Sequence, residues 1–190
     1  MNRIVLSSLA AAAAIAVAAP SAKAQDFNPF QIGASGGIAF PLSDLGNAVN
    51  TGYNIGVHVG FKSQFSPIAV RAEAAYNQFG FKNGIVGTNN NGSLNIPAFT
   101  GNLIFALPLP IPFSPYAIGG AGLYRPSTTF NGTGSNNAEN DFGFNIGGGI
   151  KIPLSSSFET FVEARYHRVS VGGTNGGTFS FVPVTVGVTF

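Results

Sequence analysis

Hydrophobic and polar residues alternate with a period of two along most of this chain, the spacing of strands whose two faces meet different surroundings. The pattern is clearest at the C-terminal end. Ser180, Val182, Val184, Val186, Val188 and Phe190 share one face, and Phe181, Pro183, Thr185, Gly187 and Thr189 the other. Tyr53, Ile55, Val57, Val59 and Phe61 alternate in the same way with Asn54, Gly56, His58, Gly60 and Lys62. Comparable runs lie at 68–77, 142–152 and 158–167. Three further stretches, 30–40, 94–107 and 116–125, are strand-like but richer in glycine or less regular, and they do not declare an inward face. Eight strands are predicted, near 30–40, 52–64, 68–81, 94–107, 115–125, 142–153, 158–170 and 178–190.

The connections alternate in length. Segments 65–67, 108–114 and 154–157 are short or stiffened by proline, whereas 41–51, 82–93, 126–141 and 171–177 are longer and dominated by Asn, Gly, Ser and Thr. Such residues favour turns and cannot build a core. An even strand count with long and short connections in alternation predicts an all-β fold, an eight-stranded antiparallel up-and-down transmembrane β-barrel. Strands of about 9–11 residues suffice to cross a bilayer when tilted.

Composition strengthens that expectation. Of 190 residues 45% are hydrophobic and only 8% charged, a charged fraction far below that of ordinary soluble domains. The 18 phenylalanines argue against a disordered chain. With no cysteine, a disulfide scaffold, a zinc finger and a thiol nucleophile are all excluded. Residues 1–24 read as a secretory signal: Arg3 supplies a positive start, 4–19 is an alanine-rich apolar run, Pro20 breaks it, and Ala22-Lys23-Ala24 suits a signal peptidase. Cleavage is expected between Ala24 and Gln25, leaving 25–190 as the barrel domain. Removing Arg3 and Lys23 reduces nine basic residues to seven, against seven acidic ones, so the mature chain is neutral. Without a basic surface, nucleic acid is not an expected partner. No second apolar run is long enough for a membrane helix, and Pro108, Pro110 and Pro112 interrupt the longest candidate.

Cost decides which face meets lipid. An arginine or lysine near the bilayer midplane on the lipid side costs about 2–4 kcal/mol. Arg71 and Glu73 share one face of their strand, as do Glu159, Glu163 and Arg165 of theirs, and the opposite faces are apolar. The charges are therefore expected inside. Their strands are four apart in a ring of eight and stand across the lumen. An interior charge network is expected, with Arg71 and Arg165 compensated by Glu73 and Glu163, and Lys62, Lys151, His58 and His167 nearby. Arg168 breaks the parity near a strand end, where it can snorkel to the interface. The alternative arrangement, a soluble lipocalin-like barrel, would turn the apolar face inward and the charges outward.

Three segments carry a family resemblance: 33–45 (GASGGIAFPLSDL), 161–167 (FVEARYH) and 182–190 (VPVTVGVTF). The chain resembles the outer-membrane β-barrel domain family of small OmpA/OmpX/OmpW-like barrels. The last segment is similar to the C-terminal signal read by the barrel-assembly machinery, with Val184, Val186, Val188 and Phe190 at alternate positions. The resemblance implies a single-chain protein of the cell outer membrane, in contact with outer-membrane lipid and assembled by that machinery. It implies no one activity, because such barrels include adhesins, tethers, small channels and a few lipid-modifying enzymes.

The stretch Tyr166-His167-Arg168-Val169-Ser170 offers a histidine and a serine, but three residues apart on a strand they point to opposite faces. The glycine clusters around Gly36 and Gly148 precede no helix that could bind a phosphate, and suit close packing in a small lumen instead. Asn91-Gly92-Ser93 and Asn131-Gly132-Thr133 match a glycosylation pattern that is frequent in such loops. Glu139 and Asp141 are too few acids for a calcium cage. No catalytic, cofactor-binding or metal-binding residue is expected. The expectation is a monomeric outer-membrane barrel with a structural or surface-interaction role and an unidentified surface ligand. The alternatives are a narrow channel for small or hydrophobic solutes and a lipid A-modifying enzyme.

Overall fold

The computed structural model describes residues 29–63, 65–82, 92–130, 133–134, 139–155, 158–172 and 176–190. The expected signal segment with its Ala24–Gln25 cleavage point, Asn91, and Asn131 and Gly132 lie outside the described residues.

Eight long strands form one closed antiparallel ring. They are β1 (Phe30–Leu42), β2 (Gly52–Lys62), β3 (Ile68–Gly80), β4 (Gly92–Ala106), β5 (Ser114–Tyr124), β8 (Asp141–Ser155), β9 (Phe158–Ser170) and β10 (Thr178–Thr189). Each pairs with its neighbour in the ring, and β1 closes it on β10, from Gly33 opposite Thr189 to Leu42 opposite Ser180. Reciprocal backbone bonds between Ile32 and Phe190, 3.1 and 2.8 Å, extend the seam to the C-terminus. Closure leaves the long strands no free edge, which is the condition for placing backbone amides in hydrocarbon.

Two connections hold structure where the sequence pattern predicts only loop. In the first, Ser43–Ala48 forms a short helix, α1, whose Leu45 is buried. Six residues rich in Gly, Asn and Asp do not sustain a helix alone; docking of Leu45 and the following Val49 onto the barrel holds it. In the third long connection, β6 (Ser127–Phe130) pairs with the first residues of β4, and β7 (Thr133–Gly134) pairs with β6. At 15 residues β4 is longer than the span requires, and its overhang templates this extension.

Alternation sorts the side chains as the lipid-cost argument requires. Ile55, Val57, Val59, Val70, Val162, Val184 and Val186 face outward, exposed in the absence of lipid, while Asn54, His58, Arg71, Glu73, Glu163, Arg165 and Thr185 are buried inside. The structure also assigns the three undeclared faces. On β1, Ile32, Ile38 and Phe40 point out and Ala39 in; on β4, Phe99, Leu103 and Phe105 point out and Thr100, Asn102 and Ile104 in; on β5, Leu123 points out and Tyr116, Ile118 and Tyr124 in.

Candidate functional site in the barrel lumen

The lumen is filled in layers. Its middle is built by successive inward positions of two facing strands, Arg71 and Glu73 on β3 and Glu163 and Arg165 on β9. Arg71 Nη2 donates to both Glu163 carboxylate oxygens, at 2.8 and 2.6 Å, spanning the lumen. Arg165 donates across it in the opposite sense, from Nη2 to Glu73 Oε1. Within each strand the pairs also meet, Arg165 Nε to Glu163 Oε1 at 2.8 Å and Arg71 Nε to Glu73 Oε2 at 3.5 Å. The four residues form a ring of alternating sign with no net charge. Tyr116 of β5 adds a hydroxyl donor to Glu163 Oε2 at 2.6 Å. All four charged side chains are at most 6% exposed, so bulk water does not screen them.

Towards the short turns, Lys151 pairs with Glu159 at 3.4 Å and lies over the Tyr116 ring, 5.9 Å from its centroid. Lys62, at the end of β2, takes the inward parity at the same rim and is half-buried. His58 is buried in the same lumen, its Nε2 3.2 Å from Thr189 Oγ1 and its ring edge against Phe161. On the other side, Asn145 donates to Asn102 Oδ1 at 2.9 Å, and Asn102 to Thr100 Oγ1 at 3.0 Å.

Above these polar groups the filling becomes apolar. Phe79, Ile96, Tyr124, Val169 and Phe181 pack with Leu45 and Val49 from the α1 connection. Phe79 meets Phe181 edge to face, with centroids 5.7 Å apart. His167 stacks on Phe181 at 4.9 Å and engages the Tyr124 hydroxyl through Nδ1 at 2.8 Å. His167 is thus committed inside the barrel, whereas Ser170 is exposed at the end of β9; the two are not brought together. Among the described residues no group of three or more His, Cys, Asp or Glu side chains converges to hold a metal ion.

Glycine makes room for the large inward rings. A Cβ on Gly187 would stand 2.3 Å from the Phe161 ring, one on Gly149 2.6 Å from the Tyr116 hydroxyl, and one on Gly143 2.7 Å from the Tyr124 ring. Each bulky ring therefore lies over a bare backbone in the adjacent strand. The residues that sequence reasoning missed are these rings, Tyr116, Tyr124 and Phe161, with Thr189, Asn102 and Asn145. The glycines opposite them are the signal that could have found them, once register is known.

Of the positions expected to form the assembly signal, Val184, Val186 and Phe190 are exposed on the outer wall and Val188 is half-buried on the same face. Arg168 is exposed on that wall too, near the loop end of β9.

The model of the family described as outer membrane protein beta-barrel domain matches residues 9–190. Among solved structures, Neisserial surface protein A (NspA) aligns with a TM-score of 0.68 at 15% identity, over 85% of this chain and 96% of that one. A major outer membrane protein from Thermus thermophilus aligns with a TM-score of 0.50 at 11% identity, over 86% of this chain and 99% of that one. At these identities the likeness is one of architecture. Among curated proteins none matches.

Proposed function

The chain belongs to the outer membrane protein β-barrel domain family, and on that footing we propose an outer-membrane protein with an occluded lumen and a structural or surface-interaction role, without a catalytic centre. The observation that carries this reading is the direct bond of Arg71 to Glu163 across the lumen, roofed by the Phe79–Phe181 layer. Eight strands leave an interior just wide enough for side chains to fill it, and here bonded charges and packed rings occupy successive levels. Solute passage would require opening the ionic layer, which at these burials is costly.

Short turns face the periplasm and long connections the exterior in barrels of this kind. The Asn/Gly-rich connections at the α1 end then meet the surroundings of the cell, and they are the part available to a surface ligand. In this reading residues 1–24 direct export and are removed, 25–190 form the barrel, Val184, Val186, Val188 and Phe190 present the strand that the barrel-assembly machinery reads, and the barrel acts as a monomer with no cofactor. The network of Arg71, Glu73, Glu163, Arg165, Lys62 and Lys151 is assigned a stabilising and occluding role.

Planar-bilayer recording of the purified barrel tests the proposal. Silence is expected for the native chain, with openings in Arg71→Ala or Glu163→Ala barrels. Steady conductance in the native protein would replace this reading with that of a narrow channel. Expression with mass analysis of lipid A provides the second check: an unchanged mass is expected, and a shift abolished by His167→Ala would establish the enzyme reading instead.

A further inference from the structure

The apolar outward stripe of β4 does not stop where the strand does. Phe99, Leu103 and Phe105 point to lipid, and the same parity continues through Leu107, Leu109, Ile111 and Phe113, all exposed, with Pro108, Pro110 and Pro112 between them. Segment 107–113 is the turn joining β4 to β5 at the short-turn rim, and it contains no charged or hydrogen-bonding side chain. A turn in water ordinarily carries the opposite composition.

Its backbone is equally unusual. The three prolines have no N–H to satisfy. The N–H of Leu107 donates to Pro115 O, that of Leu109 to Leu107 O and that of Ile111 to Leu109 O, each at 2.9 Å. Six of these seven positions therefore present no unpaired amide donor. Water would satisfy such donors at no cost, so pairing or removing them matters only where water is scarce. The neighbouring β8 runs past the end of β5, since Ser114 already pairs with Lys151, and it adds outward Ile152 and Leu154, the latter 60% exposed. The β4–β5 connection and the end of β8 thus prolong the lipid-facing wall on one side of the barrel.

We propose that segment 107–113, together with Ile152 and Leu154, is a membrane-interface anchor that lies in the headgroup and upper acyl region of the leaflet at the short-turn rim. Its partner is the phospholipid surface itself, continuous with the wall of β4 and β8. The turn after β2 carries one exposed phenylalanine, Phe65, between Ser63 and Ser66, so the continuous apolar stretch lies on the β4–β8 side of the rim. Amphipathic segments at this depth hold position through buried apolar area rather than through specific bonds.

The chain has no tryptophan, so one introduced tryptophan reports its own surroundings. Ile111→Trp and Leu109→Trp barrels are reconstituted in phosphatidylethanolamine–phosphatidylglycerol vesicles, with Val57→Trp marking the hydrocarbon wall and Asn140→Trp the aqueous loops. Heat-modifiable gel mobility verifies that each variant is folded. Quenching by lipids brominated near the headgroup, and several-fold weaker quenching by iodide on both sides of the membrane than for Asn140→Trp, is the expected result. Iodide quenching equal to that of Asn140→Trp, with no effect of brominated lipid, would overturn the proposal and leave the segment as a water-exposed surface for a periplasmic protein. Having two reporters keeps the test decisive should one of them fail to fold.

Discussion

Two levels of the same lumen are filled by opposite chemistries. The middle is a ring of two arginines and two glutamates, and the level beneath the long connections is a cluster of aromatic and aliphatic side chains roofed by α1. Both exclude water, but they depend on their members differently. In the ionic layer each charge is tolerable only because its partners are present, so removing one leaves the others buried and uncompensated. In the apolar layer each ring contributes its own contacts, and removing one costs the area and leaves a cavity. The ionic layer joins the facing strands β3 and β9 across the lumen; the apolar layer closes the end that carries α1.

Deleting the shared acceptor should separate the two most strongly. Glu163 serves Arg71, Arg165 and Tyr116 together, and Glu163→Ala is expected to cost about 3–5 kcal/mol. Denaturant unfolding in vesicles, followed by gel mobility, measures it; a loss under about 1 kcal/mol would mean the layer behaves like a hydrated surface pair. Next comes Phe79→Ala, expected to cost about 3 kcal/mol in the same assay. A double-mutant cycle sharpens the contrast: coupling of Arg71 with Glu163 should exceed that of Phe79 with Phe181, for which about 0.5–1.5 kcal/mol is expected. Equal couplings would erase the distinction.

Tyr116→Phe removes one hydroxyl bonded to a carboxylate and keeps the ring over Gly149. A loss of about 2 kcal/mol is expected, smaller than for Glu163 because both arginines keep their acceptor. The smallest effect is expected at Arg168, the one charge of β9 on the outer wall near the loop end; Arg168→Ala should stay within about 0.5 kcal/mol. A large loss there would show that the outer wall, and not the lumen alone, relies on charge.

How much of this was legible beforehand depended on contrast between neighbouring positions. In β2, β3, β9 and β10 polar or charged residues alternate with Val, Ile and Phe, and their faces are plain from sequence. In β5 the outward positions between Tyr116 and Leu123 are Ala117, Gly119 and Ala121, which carry too little apolar surface to mark a face. In β4 inward Ile96 and Ile104 are as hydrophobic as outward Leu103. In β1 the run Gly33-Ala34-Ser35-Gly36-Gly37 is neutral on both sides. The charged residues of the middle layer stood out because ionised groups have so few places to go. The rings around them did not, since an aromatic side chain is at home in a packed lumen or against lipid.

By itself, then, the order of residues determined the strands, the long and short connections, and the side on which ionised groups must lie, because these follow from the two-residue period and from the cost of charge in hydrocarbon. Closure of the ring decided the rest. Register between strands sets which heights coincide, and so brings Arg71 to Glu163 and Arg165 to Glu73, and lays Phe161 over Gly187 and Tyr116 over Gly149. The helix at Ser43–Ala48 and the β6 extension exist for the same reason. Each is too short to be stable alone, and each forms on a surface that only the finished barrel provides.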